Sequence, residues 1–370
     1  MAPPTLCLLK KQIWLMLAQE TNNSGASESH ISLGRGFYNL STGIIQQFNL
    51  PQAYDKKCYS SRGWLLTIGQ DWNVILLHPF TCLQIELPPL KTFKDWEWDS
   101  FTPNLDNVYK TFIQRFALSC SPSCTSDYTA MVIHGEMGKL AYCKAGDKAW
   151  TTIETPLSNA TSPFDFYGYG ASACYFDITY FKGKFYGVNC HGRIMSCDTE
   201  GDNPTEPQVV ATLPSSMMLF EKIYLVESEG SLLAITREGV HVRPIYEGSE
   251  ICCYGTYGFR VFEVNFESNT CEEMKNLGNN TVFVGDNSSF SVKASEVMGY
   301  KPNSIYFTDD CLESYLGMDE EENLEMTMMD MGIYRMEDGR IEPHFKGTSI
   351  SYITPPLWIE GEVDHILSRL

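Results

Sequence analysis

Residues that could carry out chemistry are few and scattered in this sequence. Gly168-Tyr169-Gly170-Ala171-Ser172-Ala173 has the loose spacing G-x-G-x-x-A, which dinucleotide-binding proteins use to place a pyrophosphate at a helix N-terminus. That fingerprint requires a strand before it and a helix after it. Here Pro163 and an aromatic stretch precede the pattern, and a strand-like segment follows it. We therefore expect no nucleotide cofactor at this position.

The cysteines do not form an evident metal-binding pattern. Cys120 and Cys124 could begin a zinc site, but structural zinc needs four Cys or His ligands, usually as two spaced pairs. The nearest histidine is His134, with Cys143 beyond it, so a second pair is not evident. Cys252-Cys253 are adjacent, which strains a disulfide and favours two thiols in or near a strand. We expect no bound metal.

No catalytic residue can be assigned from the histidines and acids. The sequence lacks the nucleophile-elbow pattern G-x-S-x-G, and its seven histidines are dispersed: His30, His78, His134, His191, His241, His344 and His365. Asp177, Asp309 and Asp310 could be paired acids or calcium ligands. Calcium needs six to eight oxygens in a recognisable loop, and Asp309-Asp310 after a strand is more simply the start of a turn.

Composition excludes several classes of protein. The 370 residues include 27 Lys+Arg against 46 Asp+Glu, a formal charge of −19, which argues against a nucleic-acid groove. No apolar run approaches the roughly 18 to 20 residues of a membrane span. The segment from Thr5 to Leu17 is broken by Lys10 and Lys11 and lacks the order of a signal peptide. With 13 scattered cysteines read as buried thiols, we expect a cytoplasmic or nuclear location.

The hydrophobic pattern is that of many short β-strands. Runs of β-branched and aromatic residues alternate with Gly, Asn, Asp and Pro turns, as in Ser61–Gly69 and the strands that follow it. Phe176–Val188 predicts a hairpin turning at Lys182-Gly183, and Ile223–Ile235 predicts another turning at Glu229-Gly230. Trp64, Phe185, Tyr306 and Tyr334 are expected to pack between sheets.

The spacing of these runs predicts an all-β fold, a kelch-like β-propeller. The units recur at roughly 40 to 70 residues, which suggests about six blades of short antiparallel four-stranded sheets. No Gly-Gly pair occurs and Trp98-Asp99 stands alone, so the chain is neither a standard kelch nor a WD-repeat sequence. Gly36–Leu40 and Ile44–Phe48 should close the ring with C-terminal strands. We predict a linker-like segment at 1–30, the propeller at 31–357, a tail at 358–370, and insertions at 91–128, 238–257 and 311–331.

In these strands the chain resembles a plant F-box-associated β-propeller family, domain of unknown function 295, which includes the KIB-type F-box proteins. The resemblance rests on motifs that occur in the family's order: Arg62–Leu66, Ile85–Pro89, Phe176–Tyr186, Tyr224–Ser228, Phe283–Gly285 with Ser288-Ser289, and Asn303–Asp310. His78-Pro79 stands where the family usually has Asn-Pro.

The resemblance implies a protein-binding role. Family members commonly carry an N-terminal F-box that docks on a Skp1-type adaptor of a ubiquitin ligase, with the propeller as substrate receptor. No F-box helices are visible here, and Gln12–Leu17 looks like the linker that follows them. We therefore expect a non-catalytic propeller that recognises a protein, with no Skp1-type contact of its own. The alternatives are a propeller enzyme acting on a small molecule in the central channel, and a regulatory paralogue uncoupled from a ligase.

Overall fold

Strands make up almost all of the regular structure of the chain. The computed structural model describes residues 12–19, 34–94, 108–135, 137–154, 174–200, 206–214, 222–239, 255–295, 299–310, 330–347, 349 and 354–361. Within these ranges the helical elements are three short pieces: the 3₁₀ turns Pro51–Ala53 and Leu90–Thr92, and the α-helical turn α1 (Val108–Thr111). No helix in the described ranges is long and apolar enough to cross a membrane.

The strands form consecutive groups along the chain, which we number as units 1 to 6. Unit 1 contains β1 (Gln12–Met16), β2 (Gly34–Asn39), β3 (Ile44–Asn49) and the last strand, β25 (Leu357–Gly361). Unit 2 contains β4 (Lys57–Ser61), β5 (Trp64–Ile68), β6 (Val74–Leu77) and β7 (Gln84–Leu87). Unit 3 contains β8 (Ile113–Leu118), β9 (Thr129–His134), β10 (Lys139–Lys144) and β11 (Thr151–Ile153).

The second half of the chain continues in the same way. Unit 4 contains β12 (Tyr175–Phe181), β13 (Lys184–Asn189), β14 (Arg193–Cys197) and β15 (Gln208–Thr212). Unit 5 contains β16 (Lys222–Ser228), β17 (Ser231–Glu238), β18 (Gly258–Asn265) and β19 (Thr270–Met274). Unit 6 contains β20 (Asn280–Val284), β21 (Phe290–Lys293), β22 (Ser304–Phe307), β23 (Gly332–Arg335) and β24 (Ile341–Glu342), in the order β21-β20-β22-β23-β24.

The arrangement of these sheets is that of a β-propeller, so the predicted fold class is confirmed. The described strands form five hydrogen-bonded sheets rather than about six antiparallel four-stranded ones. Three are four-stranded, and unit 6 is five-stranded with β20 and β22 parallel. The eight-stranded sheet consists of units 4 and 5, joined through one parallel residue pair, Thr212–Thr270. Closure of the N-terminal sheet with a C-terminal strand is confirmed, but β25 pairs with β1, which was predicted to be linker, and β1 in turn pairs with the predicted strand β2. Closure of this kind protects sheet edges that would otherwise be open to aggregation.

Several predicted boundaries differ from the observed ones. The propeller extends beyond 31–357: β1 lies before residue 31 and all of β25 except Leu357 lies after residue 357, and the two strands pair over their whole length. The predicted insertion at 91–128 contains α1 and β8, whose Ile113 and Phe116 are buried in the core. Most of the other two predicted insertions, at 240–254 and 311–329, lies outside the described residues.

Tight two-residue turns connect the first two strands of three units. Lys182 and Gly183 have φ of 44° and 87°, and Glu229 and Gly230 have φ of 49° and 81°. Two successive positive φ values characterise the type I′ turn, whose twist suits a β-hairpin. Both predicted hairpin turns are confirmed, and Arg62-Gly63 forms a third turn of the same kind.

The core lies between neighbouring units, where apolar faces of adjacent sheets meet. Trp64 is buried between units 2 and 3, Phe185 between units 3 and 4, and Tyr306 between units 6 and 1. Tyr334 is half-buried and packs against the cluster between units 5 and 6. The predicted packing of these four aromatic residues is therefore confirmed.

One strand of each unit lies next to the central axis, where it contacts the corresponding strand of a neighbouring unit. These inner strands are β25, β4, β8, β12, β16 and β21. Side-chain hydrogen bonds join them: Ser60 Oγ donates to the Trp358 carbonyl, the Leu118 N–H donates to Ser61 Oγ, and Ser291 Oγ donates to the Glu227 carbonyl. The ring of inner strands thus positions the polar residues described next.

Candidate functional site

Two polar regions lie along the central axis, one at each end of the inner strands. Near the beginning of these strands is a buried ionic network, which we call the hub: Lys57, Arg115, Asp177, Tyr224, Arg237, Asp286, Asp310 and Asp330. At the other end is a small cavity, which we call the mouth. Because a strand rises about 3.3 Å per residue, Lys57 in the hub and Ser61 at the mouth are separated by about 13 Å.

Asp310 is the centre of the hub. Its side chain is fully buried and lies just past the end of β22. Oδ2 accepts a hydrogen bond from Arg115 Nη2 at 2.7 Å, and Oδ1 accepts one from Arg237 Nη1 at 2.9 Å. The Tyr224 hydroxyl lies 3.2 Å from both oxygens. One carboxylate therefore links guanidinium groups of units 3 and 5 to unit 6.

Arg115 extends the network to units 4 and 6. Its Nη1 donates to Asp286 Oδ1 and to the Gly285 carbonyl, both at 3.2 Å. Its Nε lies 3.8 Å from Asp177 Oδ1, and Asp177 Oδ2 accepts the Leu225 N–H at 2.8 Å. The other carboxylate oxygen of Asp286 accepts from Lys57 Nζ at 2.7 Å, which brings in unit 2.

Arg237 connects the hub to the bases of two of the predicted insertions. Its Nη2 donates to Asp330 Oδ2 at 2.8 Å, and its Nε donates to Thr256 Oγ1 at 2.7 Å. Thr256 in turn donates to both carboxylate oxygens of Asp330. Arg237 and Thr256 flank the segment 240–254, while Asp310 and Asp330 flank 311–329. The same guanidinium thus fixes the ends of both segments.

Burial and pairing act in opposite directions on the ionisation of the hub. Burial raises the pKa of Asp177 to about 7, although Arg115 and the Leu225 N–H favour the carboxylate. Burial would also raise the pKa of Asp310, but Lys222, Arg115 and Arg237 together hold it below its usual range. The pKa of Arg115 is raised because Asp310, Asp177 and Asp286 outweigh its burial. Asp310 is therefore the permanent anion of the hub, whereas Asp177 can be neutral near pH 7.

The chain approaches Arg115 closely at Gly285, and only glycine fits there. Gly285 has φ of +152°, and a Cβ on it would lie 2.0 Å from Thr308 Oγ1. Its carbonyl is the one that accepts from Arg115. The absent side chain lets unit 6 bring both this carbonyl and Asp286 to the guanidinium.

The charged side chains of the hub are paired with groups of opposite charge. Acids do converge near the axis, which a channel enzyme would require, but each hub carboxylate lies within 4 Å of a guanidinium or an ammonium. Within the described part of the chain, no group of three or more His, Cys, Asp or Glu is arranged to hold a metal ion. This geometry suits a clamp that joins five units.

The mouth is the second polar region, and every unit contributes to it. It encloses about 110 Å³ and is lined by Ser61, Arg62, Leu118, Thr179, Tyr180, Glu227, Ser288, Ser289, Phe290, Ser291 and Glu360. The hydroxyl of Ser289 is buried and has no hydrogen-bond partner within the described structure. Arg62 Nε donates to the Leu118 carbonyl at 2.9 Å, and its guanidinium lies 6.0 Å from the centre of the Tyr180 ring.

The structure places the candidate site residues from the sequence in different surroundings. Asp177 and Asp310 come together in the hub; Asp309 is buried beside it. Cys120 Sγ lies 3.2 Å from the Asp127 carbonyl, and Cys124 is exposed. Gly168–Ala173 and Cys252-Cys253 lie outside the described residues, as do three of the histidines: His30, His241 and His365.

The described histidines remain apart from one another and from the hub. His134 packs between Phe93 and Phe112, and the His344 ring lies 4.9 Å from that of Trp358. Burial lowers the pKa of His344 to about 4. His191 lies in the turn where its N–H donates to Asn189, as its sequence context indicates. His78 is in the turn between β6 and β7 and accepts the Thr81 N–H.

Sequence reasoning missed the basic half of the hub. Arg115 and Arg237 lie in strands that also contain several apolar residues, and Lys57 begins the fully buried strand β4. A lone cation in an apolar strand is a useful signal, because a charge is rarely buried without a partner. That signal was available, but it does not identify the partner.

Comparison of the sequence with known proteins identifies relatives of the chain. The sequence model described as "KIB1-4 beta-propeller" matches residues 37–335. Among curated relatives from Arabidopsis thaliana, At5g55150, which carries a provisional F-box designation, is 26% identical over 77% of this chain and 70% of its own length. The F-box protein SKIP23 is 24% identical over 83% of this chain and 77% of its own length.

Solved structures resemble the chain only weakly. The β-propeller domain of Cps50 (Swd1) from Myceliophteria thermophila is 11% identical and covers 86% of this chain and 82% of its own, with a TM-score of 0.37. The match to the family model spans most of the strands of units 1 to 6, including the hub residues from Lys57 to Asp330. The chain belongs to the KIB1-4 β-propeller family.

Proposed function

We propose that the chain is a non-catalytic receptor that recognises a protein for ubiquitin-dependent turnover. The observation that carries the proposal is membership of a propeller family whose curated relatives are named F-box proteins. A role in protein interaction follows from these relatives in general terms. The substrate-receptor role and the absence of catalysis are the specific parts of the proposal.

The hub supports recognition through loops. Binding residues are commonly placed on loops that a rigid scaffold positions. Arg237 holds both Thr256 and Asp330, so the bases of the segments 238–257 and 311–331 are fixed to each other. We propose these two segments, together with 91–128, as the regions that contact the partner protein.

The channel favours a receptor over an enzyme. A catalytic acid or base needs a pKa suited to proton transfer and a route to substrate. Asp177 has a raised pKa, but its side chain is 2% exposed and lies within the hub. A binding role therefore accounts better for these buried, mutually paired charges.

We also propose a cytoplasmic or nuclear location. The described cysteines include four buried thiols, Cys58, Cys143, Cys197 and Cys271. Such thiols suit a reducing compartment. Fluorescence microscopy of the tagged chain in plant cells tests this, and accumulation in the secretory pathway would contradict it.

Capture from plant extract, followed by turnover measurement, tests the receptor function. We expect the tagged chain to enrich a specific protein whose polyubiquitination falls and whose half-life lengthens when the chain is removed. Arg237→Lys keeps the charge but loses the forked contact to Thr256 and Asp330, so it should reduce capture. Arg260→Lys, on the exposed side of β18, is the matched control.

Three results are informative. Capture with unchanged half-life indicates a regulatory protein uncoupled from a ligase and contradicts the turnover role. Recovery of a Skp1-type adaptor bound directly to this chain contradicts our expectation for that contact. Failure to enrich any protein above the level of an unrelated propeller contradicts the receptor function as a whole.

A further inference from the structure

We propose that the mouth binds a cationic side chain, lysine or arginine, presented by an extended polypeptide segment. This site lies at the opposite end of the inner strands from the two segments that Arg237 anchors. It therefore goes beyond the receptor function proposed above and can be tested without a known turnover substrate.

The mouth is a dead-end pocket on the propeller axis. Its lining residues come from all six units, and the hub fills the axis beneath it with buried side chains such as Arg115 and Asp286. Hydrogen bonds between neighbouring inner strands, from Leu118 to Ser61 and from Ser291 to Glu227, hold the walls in place. A ligand would meet preorganised groups, which lowers the entropic cost of binding.

Two carboxylates and several hydroxyl groups supply acceptor atoms to the polar lining. Ser289, a residue only 5% exposed, lines the cavity, and its buried hydroxyl has no partner within the described structure. Glu227 uses Oε1 to accept the Gly230 N–H at 3.1 Å, and it also lines the cavity. Glu360, from unit 1, adds a second carboxylate to the lining. An ammonium or guanidinium carries only donors and so complements this set.

The single cation of the lining is held against the wall. Arg62 Nε donates to the Leu118 carbonyl, and the guanidinium lies beside the Tyr180 ring. With Glu227 and Glu360 against Arg62, the formal charge of the lining is −1. The whole chain carries −19, so its long-range field also attracts cations.

The size of the mouth limits what can enter. A cavity of about 110 Å³ is a few times the volume of roughly 30 Å³ that one water occupies in the liquid. That space suits the last few heavy atoms of a lysine or arginine side chain. A folded surface cannot enter, so the side chain must project from an extended segment.

Fluorescence anisotropy with the purified full-length chain tests the proposal directly. The probes are labelled nine-residue Gly/Ser peptides with one central Lys, norleucine, Glu or phosphoserine. We expect saturable binding of the Lys probe that weakens with salt, and much weaker binding of the other three probes. An Arg-centred peptide should compete with the Lys probe.

Variants of the lining and a matched control assign the binding to the mouth. Glu227→Gln removes one charge but keeps an acceptor for the Gly230 N–H, and it should weaken Lys-probe binding by about fivefold. Arg62→Gln removes the like charge and should strengthen the same binding. Glu86→Gln changes the net charge equally on the exposed strand β7 and should leave binding unchanged.

Several outcomes overturn the proposal. The Lys probe could fail to bind, or it could bind no more tightly than the norleucine probe. Equal binding by wild type and Glu227→Gln would assign the interaction to the general negative field. Preference for the phosphoserine probe would instead identify Arg62 and the serine hydroxyls as an anion site. None of these results bears on protein turnover, so the receptor function is judged separately.

Discussion

Removing the charge of Asp310 should destabilise the propeller strongly. Asp310→Asn retains the shape of the side chain but leaves Arg115 and Arg237 without the carboxylate that lies 2.7 and 2.9 Å from their guanidinium nitrogens. It also places an amide donor next to groups that are themselves donors. Breaking a buried ion pair by neutralising one partner costs about 3 to 5 kcal/mol.

The expected loss is large relative to the stability of a folded protein, which is typically about 5 to 15 kcal/mol. Urea unfolding at pH 7 measures it, with tryptophan fluorescence reporting on the seven Trp residues. The midpoint should fall while the dependence on urea concentration stays the same, since the surface exposed on unfolding is unchanged. Circular dichroism confirms that the variant still forms sheets.

Two control substitutions separate charge pairing from burial alone. Asp177→Asn removes a carboxylate whose ionised form the folded state disfavours, so it should not lower the free energy of unfolding at pH 7. Glu273→Gln breaks an ion pair with Arg260 on the exposed side of unit 5 and should cost less than about 1 kcal/mol. If Asp310→Asn costs no more than these controls, the hub does not stabilise the fold as we reason.

Three further predictions concern the ionisation of Asp177, the backbone at Gly285 and the reactivity of two cysteines. The raised pKa of Asp177 means that the folded state binds its proton more tightly than the unfolded state does. The free energy of unfolding should therefore fall by on the order of 2 kcal/mol between pH 5 and pH 8, relative to that of Asp177→Asn. Urea midpoints measured across that pH range test this. Gly285→Ala should lower the free energy of unfolding by about 2 kcal/mol or more, because the new Cβ strains the backbone at this φ and collides with Thr308. Adding Thr308→Ala should recover part of that loss. Full recovery would leave no role for backbone strain. In native protein at pH 8, iodoacetamide should modify the exposed Cys124 well before Cys197, because burial raises the pKa of the Cys197 thiol to about 12. Equal labelling of the two cysteines, measured by mass spectrometry, would contradict this burial.

Local patterns were sufficient to predict the strands and turns. Alternation around Lys182-Gly183 and Glu229-Gly230 predicted hairpins because a two-residue turn containing glycine leaves few other connections. Closure with a C-terminal strand was predicted for Gly36–Leu40 and Ile44–Phe48, but the strand that pairs with β25 is β1. Trp14 and Trp358 are both buried, yet the short strands around them look like a linker and a tail when each is taken alone.

The hub could not be predicted because its pairs are distant along the chain. Arg115 and Asp310 are 195 residues apart, and nothing near either residue specifies the other. Asp309-Asp310 was interpreted as a turn because a local hydrogen bond to the backbone is the commonest use of Asp after a strand. Once the ring closes, Asp310 lies at the axis, and the ends of β8 and β17 supply its partners.

The mouth was not anticipated for a related reason. Ser288-Ser289 contributed to the family resemblance, and Arg62-Gly63 began another of its motifs, but neither indicated a shared cavity. Glu227 and Glu360 come from units 5 and 1, on different walls. Only the placement of every inner strand around one axis brings these residues together.

A buried ionic hub raises the question of why the axis is not apolar. Well-packed apolar residues often stabilise a core as much as buried ion pairs do, so stability alone does not account for Lys57, Arg115 and Arg237. Charges do specify alignment: a slip of one residue in an inner strand turns its side chains to the other face and would leave a cation buried without its carboxylate. The pairing of Arg115 with Asp310, and of Lys57 with Asp286, is therefore compatible with one register of the units around the ring. That register also sets where Thr256 and Asp330 meet at one end and where Glu227 faces the mouth at the other, so specificity of assembly and geometry of binding rest on the same contacts.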